Sequence, residues 1–262
     1  MHSMQQQKFT KIVLVLLAIL LALLYLFRGV IFDNIFDGIG KSQASPEVQK
    51  TINDNTQSWL AKQEYNGQQQ IFVNEDKPDF KSSELKIDDG GWQKLSNRDL
   101  LARPQKANAL LNKSLMPTKK REPLTVKTPG YKVYKFDANG VQTYLYNRSH
   151  LIGFQLTGEN NNPANLVTGT VALNATHESD NQASMETYEN QVATYLRQDK
   201  NHYVRYRVTP IYRNIERVPR GVEMEAQSVT DDSISFNVYI FNAQPGWKIN
   251  YYTGSAIQNV QQ

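Results

Sequence analysis

From Ile12 to Phe27 the chain reads IVLVLLAILLALLYLF, bracketed by Lys11 and Arg28, with the Tyr25 hydroxyl as its one polar side-chain group. A run of that kind has no place on the surface of a water-soluble domain, and it matches the composition of a membrane-spanning helix. At 1.5 Å per residue it spans about 24 Å, short of a hydrocarbon core of about 30 Å. Gly29 to Phe32 can lengthen the span, and Lys11 and Arg28 can extend their charges to the interface. A cleaved signal peptide is the alternative, but Ser42-Gln43-Ala44, the nearest small-x-small site, lies far beyond the apolar run. Lys8 and Lys11 precede the span while Asp33 and Asp37 follow it, so the positive-inside rule puts the amino terminus in the cytoplasm and the remainder outside. The expectation is a single-pass cell-membrane protein with residues 1–32 as cytoplasmic terminus and anchor, secretion after cleavage being the alternative.

That segment also carries most of the net charge. The formal charge is +4, and Lys8, Lys11 and Arg28 lie in a stretch without acids, leaving 26 basic against 25 acidic residues after Phe32. The exported part is therefore close to neutral. Any basic binding surface has to come from local clustering, and Lys119-Lys120-Arg121 is the run that offers one.

Residues 33–90 read as a polar stalk and lead-in, rich in Gln, Asn, Asp, Lys and Ser. Within them, Pro46-Glu47 can open a short helix through Leu60, and Ile71-Phe72-Val73 can form a strand. Residues 91–262 have the texture of a folded domain. Leu100 to Leu115 shows apolar residues at helical spacing, with Pro104 placed in a first turn. Tyr131–Phe136 and Val141–Tyr146 flank Asp137-Ala138-Asn139-Gly140, which predicts a β-hairpin; Tyr144 and Tyr146 read as sheet residues. Ser184 to Lys200 predicts a helix whose stripe is Met185, Tyr188, Val192, Tyr195 and Leu196. Glu189 adjoins that stripe, where a carboxylate needs a partner. His202–Tyr212, Gly221–Met224 and Ile234–Phe241 predict strands. The class is α+β, a central antiparallel sheet with packed helices.

The chain has no cysteine, which excludes disulfides, thiolate metal sites and cysteine nucleophiles. It has four histidines, and one of them, His150, closes the run YNRSH at the end of the expected hairpin. A histidine can act as a base near neutral pH. An asparagine carbonyl is a suitable oxygen ligand for magnesium, which keeps several waters and often takes few protein ligands. A nearby glutamate can orient those waters, and an arginine can neutralise phosphate. Phosphodiester hydrolysis can be assembled from such a set, although histidine with asparagine fits many sites. His177, in the polar loop THESDNQ, and His202 read as loop and surface residues.

A resemblance narrows the choice. Asn147-Arg148-Ser149-His150 resembles the DRGH signature of DNA/RNA non-specific endonucleases of the ββα-metal, or His-Me finger, class. LIG after it, NPANL at 162–166, LN at 173–174 and METYENQV at 185–192 resemble that family in order and spacing. So do LLARPQKANALLNKSLMPTKKREPL, YRVTPIY at 206–212 and FNVYIFNAQPG at 236–246, so that the likeness covers most of residues 90–254. With the anchor, the chain is most similar to membrane-bound DNA-entry nucleases of Gram-positive bacteria. The resemblance implies a ββα-metal motif in residues 91–262, His150 as general base and Asn174 as direct ligand of Mg2+ (or Mn2+). It implies Glu189 on the metal's water shell, Arg148 on phosphate or steadying the site, and Asn165 near the substrate as a positioning group. Beside such a site Lys119, Lys120 and Arg121 are candidates to follow a DNA or RNA backbone. The implied activity is sequence-non-specific endonucleolytic cleavage of DNA, with RNA as a second substrate, leaving 5′-phosphates. Two positions depart from the signature: Asn147 replaces its aspartate and Ser149 its glycine. A non-catalytic cell-surface DNA receptor on the same fold is the competing expectation.

Overall fold

Along the strand Tyr203–Ile211 the side chains alternate, Val204, Tyr206 and Val208 against Arg205, Arg207 and Thr209, and this two-residue period sets the architecture. The computed structural model describes residues 56–138, 140–175 and 183–259. It shows six strands in one antiparallel sheet, in the order β1-β10-β9-β8-β3-β2. These are β1 (Gln70–Phe72), β2 (Trp92–Leu95), β3 (Ala107–Asn112), β8 (Tyr203–Ile211), β9 (Gly221–Ser228) and β10 (Ser235–Phe241). Three two-stranded sheets complete the β structure: β4 (Lys135–Ala138) with β5 (Val141–Tyr144), β6 (Tyr146–His150) with β7 (Leu166–Thr170), and β11 (Trp247–Ile249) with β12 (Ala256–Gln258). The helices are α1 (Phe154–Thr157), α2 (Val171–Asn174) and α3 (Met185–Gln198), with a helical turn at residues 56–60.

One face of the central sheet is apolar. Ala107, Ala109 and Leu111 of β3, Val204, Tyr206 and Val208 of β8, and Val222, Met224 and Ala226 of β9 line it. The stripe of α3 (Met185, Tyr188, Val192, Tyr195, Leu196) packs on this face, as the sequence spacing predicts. The opposite face is polar and yet buried. Arg207 makes a two-point contact with Glu225 (2.6 and 3.0 Å), Arg205 bonds Glu84 and Asn108, and Phe80 lies across both guanidinium groups. The cover comes from residues 74–89. Arg207 donates to the Asp79 carbonyl, the Asp79 amide donates to Glu225, and the Asn237 amide donates to Asp76. Residues inside the expected polar stalk 33–90 therefore form part of the folded unit: β1 pairs with β10, and Leu60 and Val73 are buried beside Ile211, Tyr239 and Phe241.

The expected helix over Leu100–Leu115 is a strand and a 3-10 turn. β3 pairs with β2 on one side and β8 on the other. Ala107, Ala109, Leu110 and Leu111 are all buried, and a strand covered on both faces produces a continuous apolar run that imitates helical spacing. Leu100, which belonged to the supposed stripe, is fully exposed. The hairpin forms, with Ala138 paired to Val141. Pro210 is tolerated in β8 because β3 stops pairing at Val208, so the missing N–H lies beyond that ladder. Among the described residues no helix is long and apolar enough to cross a membrane, and the expected anchor, like His177, lies outside them.

Candidate active site

β6 leaves the β4–β5 hairpin and pairs along its whole length with β7, from Tyr146 opposite Thr170 to His150 opposite Leu166. His150 thus sits at the last rung of a two-stranded ladder, where the chain turns out of the sheet. The turn is pinned. The Leu151 amide donates to the Asn165 carbonyl (2.8 Å), and the Asn165 side chain brackets Ile152, accepting from its amide and donating to its carbonyl, both at 2.9 Å. Asn165 is completely buried with both ends of its amide engaged. Its geometry is that of a positioning group, holding the segment that follows His150.

The imidazole of His150 is buried and its Nε2 lies 2.8 Å from the Asn160 carbonyl. A carbonyl only accepts, so Nε2 carries the proton, and in the neutral ring Nδ1 is left as the acceptor. Burial pushes the His150 pKa below its ordinary value, and the nearby charge of Arg121 pushes the same way against the carbonyls of Asn160 and Glu159. The residue is therefore neutral and basic at neutral pH.

Gly153 follows three residues later, at the start of α1, and touches the carboxylate of Glu189. A Cβ on Gly153 would lie 2.2 Å from one carboxylate oxygen and 2.5 Å from its carbon. Only glycine allows this approach. Glu189 reaches the spot from α3, at the edge of the apolar stripe, and is 8% exposed. Burial raises its pKa to about 8, Glu186 adds to the rise, and the Gly153 amide, the Gln155 side chain and Arg121 oppose it. Among the described residues no cation forms an ion pair with it. A buried acid held in this way is stabilised in its charged form by a nearby cation.

Asn174 is the last residue of α2, which follows β7 directly. Thr170 caps that helix, its hydroxyl accepting from the Leu173 amide (3.1 Å). α2 packs against β6, β7 and α3, so the elements bearing His150, Asn174 and Glu189 meet in one region, and Asn174 is partly exposed there. Among the described residues no group of three His, Cys, Asp or Glu side chains is placed to hold a metal. Among the described residues, the Asn174 amide and the Glu189 carboxylate are the expected ligand oxygens that these elements bring there. That sparse set suits a hydrated hard cation such as Mg2+, which retains much of its water.

Arg148 lies on β6 two residues before the histidine. Its Nε donates to the Val126 carbonyl (2.6 Å) and its guanidinium stacks over the Tyr131 ring at 4.5 Å. Of the two roles expected for it, these contacts are those of a brace. Lys119, Lys120 and Arg121 are exposed, and Arg121 is the one whose charge acts on both His150 and Glu189. Two asparagines of the loop between α1 and β7 bring this segment to the site. Asn160 donates to the Glu122 carbonyl (3.1 Å), and Asn161 accepts from the amides of Thr125 and Val126, both at 3.1 Å. Nothing but the three successive asparagines marked them. His202 stacks on Tyr195 (4.0 Å between centroids) away from this region. Asn147 lies opposite Gly169. The Ser149 hydroxyl is fully buried in the space that Gly169, lacking a side chain, leaves open.

Comparison with known proteins gives the family. The family model for DNA/RNA non-specific endonuclease matches residues 84–230, more than half of the chain. A deoxyribonuclease of Streptococcus dysgalactiae subsp. equisimilis is 30% identical over 115 residues, which is 44% of this chain and 34% of that protein, so the chain spans about a third of that curated relative's length. The crystal structure of NucA from Streptococcus agalactiae with magnesium ion bound superposes with a TM-score of 0.64 at 29% identity, over 75% of this chain and 89% of that one. The structure of Sda1 nuclease with bound zinc ion gives 0.55 at 25% identity, over 64% and 80% of the two chains.

Proposed function

Because the chain belongs to the DNA/RNA non-specific endonuclease family, we propose that it cleaves DNA, and RNA as a second substrate, without marked sequence preference. The observation that carries this reading is the fixed tautomer of His150, whose Nε2 is tied to the Asn160 carbonyl while Nδ1 is left as an acceptor. His150 accepts a proton from water through Nδ1. The water oxygen attacks phosphorus in line as the bond to the 3′-oxygen breaks, leaving a 5′-phosphate and a 3′-hydroxyl that takes a proton from solvent. Asn174 would hold a divalent cation, magnesium or manganese, through its amide oxygen, with Glu189 contacting it through water. Such a cation supplies electrostatic stabilisation of the phosphoryl charge and of the leaving oxygen. Arg148 keeps β6 and the 126–131 segment in register, and Lys119, Lys120 and Arg121 follow the phosphate backbone. Residues 12–27 anchor the enzyme in the cell membrane with this domain outside.

Incubation with plasmid DNA and with RNA, in magnesium or in excess EDTA, tests the reading. Cleavage in magnesium, loss of cleavage in EDTA, and loss in a folded His150→Ala variant are expected. Salt-sensitive DNA binding without cleavage would instead establish the receptor.

A further inference from the structure

The six-stranded sheet and the β6–β7 ladder are separate sheets, yet one short segment joins them. It is residues 242–244, where the chain leaves β10. Asn242 is completely buried. Its side-chain oxygen accepts from the Thr170 amide (2.7 Å), and its nitrogen donates to the carbonyls of Thr168 and Pro219, both at 2.9 Å. The Thr170 hydroxyl donates to the Ala243 carbonyl (2.8 Å). The Gln244 side-chain oxygen accepts from the Ala172 amide (3.1 Å). Apart from the one to Pro219, these bonds cross 72 to 74 residues of sequence and end on the last residues of β7 and the first turn of α2.

The same junction is held on its other side by the Val171 amide, which donates to the Leu145 carbonyl (3.0 Å), and by the buried Leu173. α2 is four residues long, too short to hold its own geometry, and the orphan amides of its first turn need outside acceptors. Thr170 serves Leu173 and Gln244 serves Ala172. Any rotation of so short a helix about its start moves its last residue, Asn174.

We propose that Gln244, working beside Asn242, is a positioning residue for the reaction: it fixes the start of α2 and thereby the place of the Asn174 amide. This rests on the function proposed above. Asn242 carries too many buried bonds for a clean test, whereas Gln244 is partly exposed and makes this bond from the surface. Gln244→Ala removes the acceptor, Gln244→Asn draws it back by one methylene, and Gln244→Glu retains it.

The test uses the full chain in detergent and measures Mn2+ affinity by electron paramagnetic resonance without nucleic acid, alongside plasmid cleavage and thermal unfolding. Gln244→Ala and Gln244→Asn should each bind Mn2+ about tenfold more weakly and lose kcat by a similar factor, the range seen when the support of a metal ligand is removed. KM for DNA should stay unchanged, and Gln244→Glu should restore both quantities. Wild-type affinity and kcat in the alanine and asparagine variants would overturn the proposal, as would a glutamate variant no better than alanine. A wild-type protein that neither binds Mn2+ nor cleaves removes the proposed function and this inference together. A wild-type protein that cleaves, with indifferent variants, removes the inference alone.

Discussion

Replacing Gly169 with alanine puts a methyl group into the gap that accommodates Ser149. The new Cβ would lie 2.2 Å from the Ser149 hydroxyl oxygen, 2.9 Å from its Cβ and 3.1 Å from Leu173 Cδ2. Rotating the hydroxyl away does not cure the contact between the two Cβ atoms, so β6 and β7 must move apart. Overpacking of this kind costs about 1–3 kcal/mol. In a folded unit of this size each kcal/mol lowers the melting temperature by about 2–4 °C, so a fall of roughly 2–12 °C is expected. Ser149→Gly removes both offending atoms. By itself it should be nearly neutral: glycine in a strand costs about 0.5–1 kcal/mol, but the lost hydroxyl is buried and has no hydrogen-bond partner among the described residues. Joined to Gly169→Ala it should restore most of the stability, giving a coupling of about 1–3 kcal/mol between the two sites. Thermal or urea unfolding of the four proteins measures this. A Gly169→Ala protein that melts with wild type, or a double variant equal to the sum of the singles, would refute the claim that Ser149 is tolerated in place of the signature glycine because Gly169 makes room for it.

Two further outcomes are expected. Since burial lowers the His150 pKa, the base is competent above that lowered value and is lost only as pH falls through it; the acid limb of kcat/KM should therefore be centred below the ordinary histidine value of about 6.5, and a pH–rate profile with its midpoint at or above that value contradicts the assignment. Asn165→Ala leaves the Ile152 amide and carbonyl without their buried partner, at about 1–3 kcal/mol for each group; urea unfolding should show a loss of at least about 2 kcal/mol, and a loss well below 1 kcal/mol contradicts the positioning role.

The parts legible in the sequence were those with a short-range signature. The β4–β5 hairpin announced itself through Asp137-Ala138-Asn139-Gly140, and α3 through a stripe that put Glu189 at the edge of the apolar face, where it is buried. Strand β3 was misread because two-sided burial erases the period that separates strands from helices. The neighbours of the candidate site were illegible for a different reason. Arg148 meets Val126 and Tyr131, and Asn161 meets Thr125 and Val126, through contacts between loops that no periodicity records. Asn165 could be placed near the site by its motif, but its two-point contact with Ile152 depends on where the turn after β6 lies.

The central claim is that His150, Asn174 and Glu189 surround one hydrated divalent cation. Anomalous diffraction from crystals soaked in Mn2+ tests it most directly. The strongest peak should lie about 2.0–2.2 Å from the Asn174 amide oxygen, with Glu189 reaching it through water and His150 Nδ1 facing the same space. A peak bound elsewhere, with Asn174 turned away from it in a protein that still cleaves DNA, would contradict it.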